Sequence, residues 1–479
     1  MISDYKKYSL IIVLVGFSLR VYQLGSDSLW NDEAGVVLVA LLPNLQSVIS
    51  AIRSHAMAMP MDYLVIRGII RLGFQEFVLR LPAAVFGTLT LAICYRLSRK
   101  FIGETAALLA VLLLALSPLH IMYSQEVRFY ASLVFFFYLS VDLFIEAIEK
   151  GTLLNWALLT LILVIGVYFH IYVFLSLIYG LAWALANNKK RQLSHSFALG
   201  GLFTAFSATL LGYLYFGDHQ KFNYPLLPWG GSLFQEIALG LGWRELPFTP
   251  RPNIGCSWYI LCFSSFLIGL MRSLKQGNKS VMALMISSLI QIFIIITADL
   301  LKGYWFVYRQ ILFLHPAMLV VSSIGLLAVV QILKQCKKII ITRWLAVGLI
   351  GVLLLSGFPA QANYYQWCKS DARWISEYLY RNWDPGEAVL VVPGYQEKLY
   401  RYYLQYVYSR PDIASWIYPS EVEDITEGRL DVDDGFLIVV GELSSNNEWV
   451  AQLSKIGFKL VKLSESRWLG HSLFARNQE

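Results

Sequence analysis

The stretch Ser28-Leu29-Trp30-Asn31-Asp32-Glu33-Ala34-Gly35 sets two adjacent carboxylates just after an aromatic residue, at the end of the first apolar run. Charge this close to lipid is costly unless it faces water, a partner or a substrate. A carboxylate fixed there could act as a general base on a hydroxyl nucleophile. Asp32 is the candidate base, with Glu33 beside it. A structural reading fits the same residues: Asp32 or Asn31 caps a helix running on through Ala34–Leu42, with Glu33 in its first turn. The two readings are compatible, because a capping position also fixes a carboxylate.

A second polar cluster runs Ser117-Pro118-Leu119-His120-Ile121-Met122-Tyr123-Ser124-Gln125-Glu126-Val127-Arg128-Phe129-Tyr130. On a helix Glu126 would share a face with Tyr130, and Gln125 with Arg128. The bland alternative is a hairpin whose Glu126 and Arg128 are solvated or paired with each other. Further candidates are His55, Asp62 and Tyr63 in the segment leading to Arg80, and Lys302 and Arg309 among Tyr304, Trp305 and Tyr308. Asp62 could be a structural partner of Arg67 or Arg80, and Arg309 an interfacial snorkelling residue. Where negative charge develops on a phosphate, Arg128, Arg309 and Lys302 are the groups to meet it.

These residues need a scaffold, and composition says which. Hydrophobic residues make up 57% of the 479 and charged residues only 15%, with mean hydropathy +0.55. That is a multi-span membrane protein. Apolar stretches near 8–24, 80–97, 104–119, 129–147, 153–169, 171–187, 196–216, 256–271, 280–300, 308–333 and 339–358 predict about eleven spans. Basic residues at Lys6/Lys7, Arg96/Arg99/Lys100, Lys189/Lys190/Arg191, Arg272/Lys275/Lys279 and Lys334/Lys337/Lys338/Arg343 then share one face, the cytoplasmic one by the positive-inside rule. The net charge of +7 is thus an orientation signal and not a nucleic-acid surface. The first span reads as an uncleaved anchor, since no small-residue cleavage site follows it.

The outer face receives 27–80, with Met61–Gly73 expected to lie along the surface as an amphipathic helix. It also receives Pro118–Tyr130, the turn His170–Tyr172, the Pro- and aromatic-rich loop 217–255, Lys302–Arg309 and everything after Pro359. From about 361 the pattern becomes that of a small soluble α/β domain: strands at Ala388–Val392, Leu437–Gly441 and Phe458–Leu463, helices near 373–382 and 446–457. No Gly-rich phosphate motif accompanies them. The five cysteines show no metal spacing, and Cys256 with Cys368 is the one pair worth considering. The expected domains are 1–359, a transmembrane unit with outer loops 25–79 and 217–255, and 360–479, soluble and extracytoplasmic.

At Trp30-Asn31-Asp32-Glu33-Ala34, Pro60-Met61-Asp62-Tyr63, Arg80-Leu81-Pro82-Ala83, Ser117-Pro118-Leu119-His120 and Ser124–Tyr130, the chain resembles the protein-mannosyltransferase and aminoarabinose-transferase superfamily. These are C-type (GT-C) membrane glycosyltransferases of family 39 and its bacterial relatives. Arg309…His315-Pro316-Ala317 resembles a later span of that family, and Met61 departs from it where many relatives have a second proline. The resemblance implies an all-α membrane bundle of about eleven spans, with outer-face amphipathic helices and a C-terminal α/β domain. It also implies an inverting transferase of a hexosyl or pentosyl group, set in a bacterial inner or plasma membrane. The donor is a polyprenyl-phosphate-linked sugar, and the acceptor is an extracytoplasmic glycolipid, protein or envelope polymer.

In that family the Asp-Glu of the first outer loop is catalytic, which falls here on Asp32 and Glu33. Gln125, Glu126, Arg128, Tyr130, Lys302 and Arg309 would bind donor phosphate or sugar. His55, Asp62, Tyr63, Arg80 and His120 would support them from the outer face. No cofactor is expected. Asp32, Glu33 and Glu126 could hold a divalent metal, but cationic side chains already suffice. The rival readings are a flippase for a lipid-linked sugar, which would more usually show repeated halves and midplane broken helices, and a non-catalytic scaffold using the C-terminal domain.

Overall fold

The computed structural model describes residues 4–54, 59–189, 193, 195–216, 223–227, 232–246, 255–335, 341–366, 370–385, 388–419, 437–440, 458–463 and 472–476. Helix stands on each of the eleven apolar stretches. Among the described residues, six helices are both long and apolar enough to cross a bilayer: Glu76–Ile102, Tyr130–Lys150, Phe197–Phe216, Cys256–Gln276, Lys279–Lys302 and Tyr308–Ile332. Glu104–Leu116, Leu153–Phe169 and Ile171–Ala186 are apolar but shorter. The first helix, Asp4–Val21, carries Asp4, Lys6, Lys7 and Arg20.

The chain divides into two compact units, one of Met1–Tyr22, Ile49–Asp62 and Pro82–Tyr364, the other of Gln23–Val48, Tyr63–Leu81 and Tyr365–Glu479. The first is the helical bundle. Its core runs through Tyr308–Ile332, most of whose residues are buried, whereas Phe197–Phe216 is largely exposed and turns Phe203, Phe206, Leu210, Leu211 and Leu214 outward. An apolar outer face is what lipid solvates, and helices leave no backbone group unpaired there. Helices Cys256–Gln276 and His315–Gln335 approach closely because Gly269 and Gly325 lie at the crossing. A Cβ on Gly325 would stand 1.8 Å from Ser265 O, and one on Gly269 2.0 Å from Val321 O. Small residues at such crossings let backbones touch.

The second unit holds helices Asn31–Ala40, Ala372–Asn382 and Glu397–Tyr402 and a five-stranded sheet. The strands are β1 (Val389–Val392), β2 (Ile417–Pro419), β3 (Leu437–Val440), β4 (Phe458–Leu463) and β5 (Ser472–Arg476), in the order β2-β1-β3-β5-β4. β1 pairs in parallel with β2 and β3, while β3-β5-β4 is antiparallel. All four residues of β1 are buried, as a strand covered on both faces requires. The three strands expected from sequence are present. β2 and β5 were missed, being short runs (Ile-Tyr-Pro and Ser-Leu-Phe-Ala-Arg) without an apolar core of their own. The helix expected at 446–457 and Cys368 lie outside the described residues, and Cys256 Sγ faces the Glu245 carboxylate at 3.8 Å.

Candidate active site

In the second unit, Asp32 occupies the first turn of helix Asn31–Ala40. Neither Asp32 nor Asn31 caps it. Trp30 is the N-cap, with extended backbone and no side-chain cap bond, and its N–H donates to Glu33 Oε2 at 3.2 Å. Asp32 is half-buried while Glu33 is fully buried. The helix N-terminus favours a carboxylate at this position.

Arg80 locks this turn with all five of its N–H groups. Nε donates to Glu33 Oε1 at 2.9 Å and Nη2 to Glu33 Oε2 at 2.7 Å. Nη1 donates to Leu24 O and Asp27 O at 3.1 and 2.9 Å, and Nη2 also to Ser28 O at 2.9 Å. The fork of the guanidinium matches the carboxylate while its remaining donors gather three carbonyls. Glu33 therefore serves as an anchor: both its oxygens accept from Arg80, and Oε2 also from the Trp30 backbone N–H. The far end of the same helix is held by Arg67, whose Nη1 donates to Ala40 O and Leu42 O at 2.7 and 2.6 Å. Ala40 O is one of the carbonyls that a helix C-terminus leaves without an intrahelical partner, and Leu42 O lies just past the C-cap. Tyr63 is buried in this unit.

A further ring of contacts surrounds the turn. Buried Glu76 accepts from Tyr403 Oη at 2.8 Å and from Arg373 Nη1 at 3.1 Å. Tyr403 Oη in turn accepts the Leu29 N–H at 2.6 Å. Arg373 donates from Nη2 to Ser26 O at 2.8 Å and from its backbone N–H to Ser28 Oγ at 3.1 Å. Burial, and then the nearby Glu76 charge, push the Tyr403 hydroxyl well above its ordinary pKa, so it stays a neutral relay.

In the first unit the Ser117–Tyr130 segment is a short helix, Pro118–Tyr123, followed by bends, and Ser117–Val127 is wholly buried. Gln125, Glu126 and Arg128 therefore lie on bends and not on a helix face, and Glu126 is 3% exposed, so the shared-face reading does not hold and Glu126 is not solvated. The backbone leaves the preceding helix, Glu104–Leu116, and exposes carbonyls that side chains satisfy. Arg20 donates to Leu114 O and Ala115 O at 3.3 and 3.4 Å, and Gln361 to Leu116 O at 2.7 Å. Gln125 Nε2 donates to Arg20 O and Tyr22 O, and its Oε1 accepts from Tyr364 Oη at 2.6 Å.

His120 belongs to this scaffolding. Arg20 Nη2 donates to its Nδ1 at 2.8 Å, which puts the neutral ring's proton on Nε2. Burial, with Arg20 close by, holds its pKa well below the usual imidazole range. His315 fixes the start of the same segment, through Ser117 Oγ at 2.7 Å and Leu241 O at 2.9 Å.

Around that frame the charged candidates gather. The Tyr123 hydroxyl lies in the field of Tyr308, Glu126, Tyr130 and Arg309, with burial the largest influence pushing its pKa well up. The Tyr123 and Tyr130 rings are 4.7 Å apart, and the Arg128 guanidinium lies 5.3 and 5.8 Å from the Phe129 and Tyr130 rings. Arg128 also faces Asp62 and His170. Burial raises the Asp62 carboxyl to about 6 against the pull of Arg128. Burial, then Arg128, lowers His170 to about 3, leaving its ring neutral and stacked on Phe129 at 4.4 Å. Asp62, Glu126, Arg128, Tyr130 and Arg309 are thus in one neighbourhood. Lys302 ends helix Lys279–Lys302, and His55 lies outside the described residues. Among the described residues no three His, Cys, Asp or Glu side chains are grouped to hold a metal.

Sequence reasoning missed Arg20, Gln361, Tyr364, Arg373 and Tyr403. Only Arg20, a charge inside an apolar run, left a signal that could have found it.

Residues 54–213 match the family model described as dolichyl-phosphate-mannose-protein mannosyltransferase. No curated protein sequence matches the chain. Among solved structures, ArnT from Cupriavidus metallidurans in the apo state superposes with a TM-score of 0.59 at 11% identity, over 98% of each chain. The same protein bound to undecaprenyl phosphate gives 0.57 at 11%, over 97% of each. The archaeal oligosaccharyltransferase AglB from Archaeoglobus fulgidus, in complex with an inhibitory peptide and a dolichol-phosphate, gives 0.55 at 12%, over 99% of this chain and 74% of that one.

Proposed function

We propose that this chain, which shares its fold with ArnT and matches the mannosyltransferase family model over residues 54–213, is a GT-C enzyme that moves a hexosyl or pentosyl group from a polyprenyl-phosphate carrier to an extracytoplasmic acceptor. Neighbours of the same fold hold undecaprenyl phosphate or dolichol-phosphate, and the apolar spans suit a lipid-borne donor. The observation that carries the reading is Asp32: a half-buried carboxylate at the start of a helix, fixed by the Glu33–Arg80 lock beside it.

In the proposed step the acceptor oxygen attacks the anomeric carbon as its proton passes to Asp32. The bond from that carbon to the phosphate oxygen breaks, and polyprenyl phosphate leaves with the electron pair. One in-line displacement inverts the anomeric centre. A placed base contributes roughly 10²–10⁴-fold, and holding both reactants in line contributes more. Arg128 and Arg309, with Lys302, are assigned to the phosphate, where their charge opposes the charge that develops. Glu126 and Tyr130 are assigned to the sugar. Glu33, Arg80, His120 and Gln125 are assigned to positioning, and Asp62 to the field around Arg128.

We favour a metal-free reaction, because Glu33 is already committed to Arg80 and the arginines can carry the leaving charge. The basic loops orient the N-terminus to the cytoplasm and Asp32 to the opposite side. The test is Asp32→Asn in purified protein, given a lipid-linked donor and a soluble acceptor. Loss of transfer by about 10²-fold or more with donor binding retained is expected; undiminished product would remove Asp32 as the base.

A further inference from the structure

We propose that Tyr403 and Arg373 are positioning residues for Asp32, acting through Glu76 and the loop Gly25–Leu29. The proposal rests on the transfer reading above and assigns the C-terminal segment a part in it. Four groups of that loop are held by these two residues. Arg373 takes Gly25 O at 3.5 Å, Ser26 O at 2.8 Å and Ser28 Oγ at 3.1 Å, and Tyr403 Oη takes the Leu29 N–H at 2.6 Å. Leu29 and Tyr403 are fully buried, so water cannot replace that last bond.

Glu76 ties the two together by accepting from both, at 2.8 and 3.1 Å. Four residues on along the same helix face stands Arg80, which holds Leu24 O, Asp27 O, Ser28 O and Glu33. One face of one helix turn therefore joins the C-terminal residues to the turn that carries Asp32. The loop departs from helix Asp4–Val21 through Gln23 at φ 53°, a left-handed conformation that a side chain adopts only when its surroundings impose it. Truncation near residue 365 would release the contacts of Arg373 and Tyr403 while leaving those of Arg80. Its effect on transfer would then report Asp32 placement even if the C-terminal segment never touches an acceptor.

The test is Tyr403→Phe, which keeps the ring packed 5.1 Å from Tyr402 and deletes only the hydroxyl. Arg373→Gln, at a half-exposed position, is the second variant should the first not fold. We expect kcat to fall about 10- to 100-fold, the scale of a small misplacement, with donor KM within about threefold. Amide exchange over 24–32 should quicken. Added to Asp32→Asn, either change should cost no more than about twofold further, since its route runs through the missing carboxylate. Unchanged kcat, or losses that multiply in the Asp32→Asn background, would overturn the proposal. If Asp32→Asn itself leaves transfer intact, the functional reading falls, and amide exchange still decides whether Tyr403 fixes the loop.

Discussion

The turn at Asp32 and the segment Ser117–Tyr130 are both irregular backbone beside helix ends, yet they are secured by different chemistry. Around Asp32 the fasteners are ions: Arg80 on Glu33, Arg373 on Glu76, with spare guanidinium donors on carbonyls. Around Ser117–Tyr130 the backbone is held chiefly by neutral side chains, Gln125, Gln361, Tyr364, Ser117 and His120, with Arg20 a charged one among them. A buried ion pair fails badly when halved, because one charge is left stranded in a dry site. A neutral hydrogen bond fails mildly, by about 1 kcal/mol. The first design fixes one carboxylate rigidly; the second spreads its support over many small contacts.

The largest effect expected of this contrast is at Arg80. Arg80→Met leaves Glu33 buried without its partner and should cost about 3–5 kcal/mol, read as a fall in thermal unfolding temperature and in folded yield. Adding Glu33→Gln should recover part of that loss, and Arg80→Lys should not restore the fork. Equal damage from Arg80→Met alone and from the double variant would break the comparison.

Asp62 offers a sharper, pH-resolved case. Its carboxyl is raised from 3.8 to about 6 by burial, against Arg128. As pH climbs between about 4 and 6, the unfolded chain ionises this group while the folded chain still holds its proton. Stability therefore falls through that window and is flat above it. Asp62→Asn should flatten the slope and gain up to roughly 3 kcal/mol above pH 6, counting about 1.4 kcal/mol per tenfold shift, as measured by unfolding across pH. A slope that survives the substitution would assign it to another group.

The smallest change is Tyr364→Phe, which removes one neutral donor from Gln125 and should cost about 1 kcal/mol. A cost as large as that of Arg80→Met would erase the distinction between the two regions.

Much of this was legible along the chain. The apolar lengths that mark Tyr130–Lys150 or Lys279–Lys302 are local properties, and the helices stand where they were expected. Asp32, Glu126, Arg128 and Arg309 drew notice because charge at a span's end is costly. The role of Glu33 was not legible: nothing near it distinguishes a reactive carboxylate from one closed by an arginine 47 residues away. The partner of His120 was likewise not legible: Arg20, 100 residues earlier, donates to its Nδ1. The bends at 125–128 defeated the helical spacing argument, and there the Gln125 side chain bonds to Arg20 O and Tyr22 O, about a hundred residues away in sequence.

Periodicity and charge placement, which act over a few residues, determined on their own the spans and the short list of candidate groups. Tertiary structure alone decided which carboxylate is committed to an anchor, and that Tyr403, 374 residues further on, accepts the Leu29 N–H. The reason is that a buried polar group takes whatever donor folding brings within 3 Å or so, and sequence distance does not enter that choice.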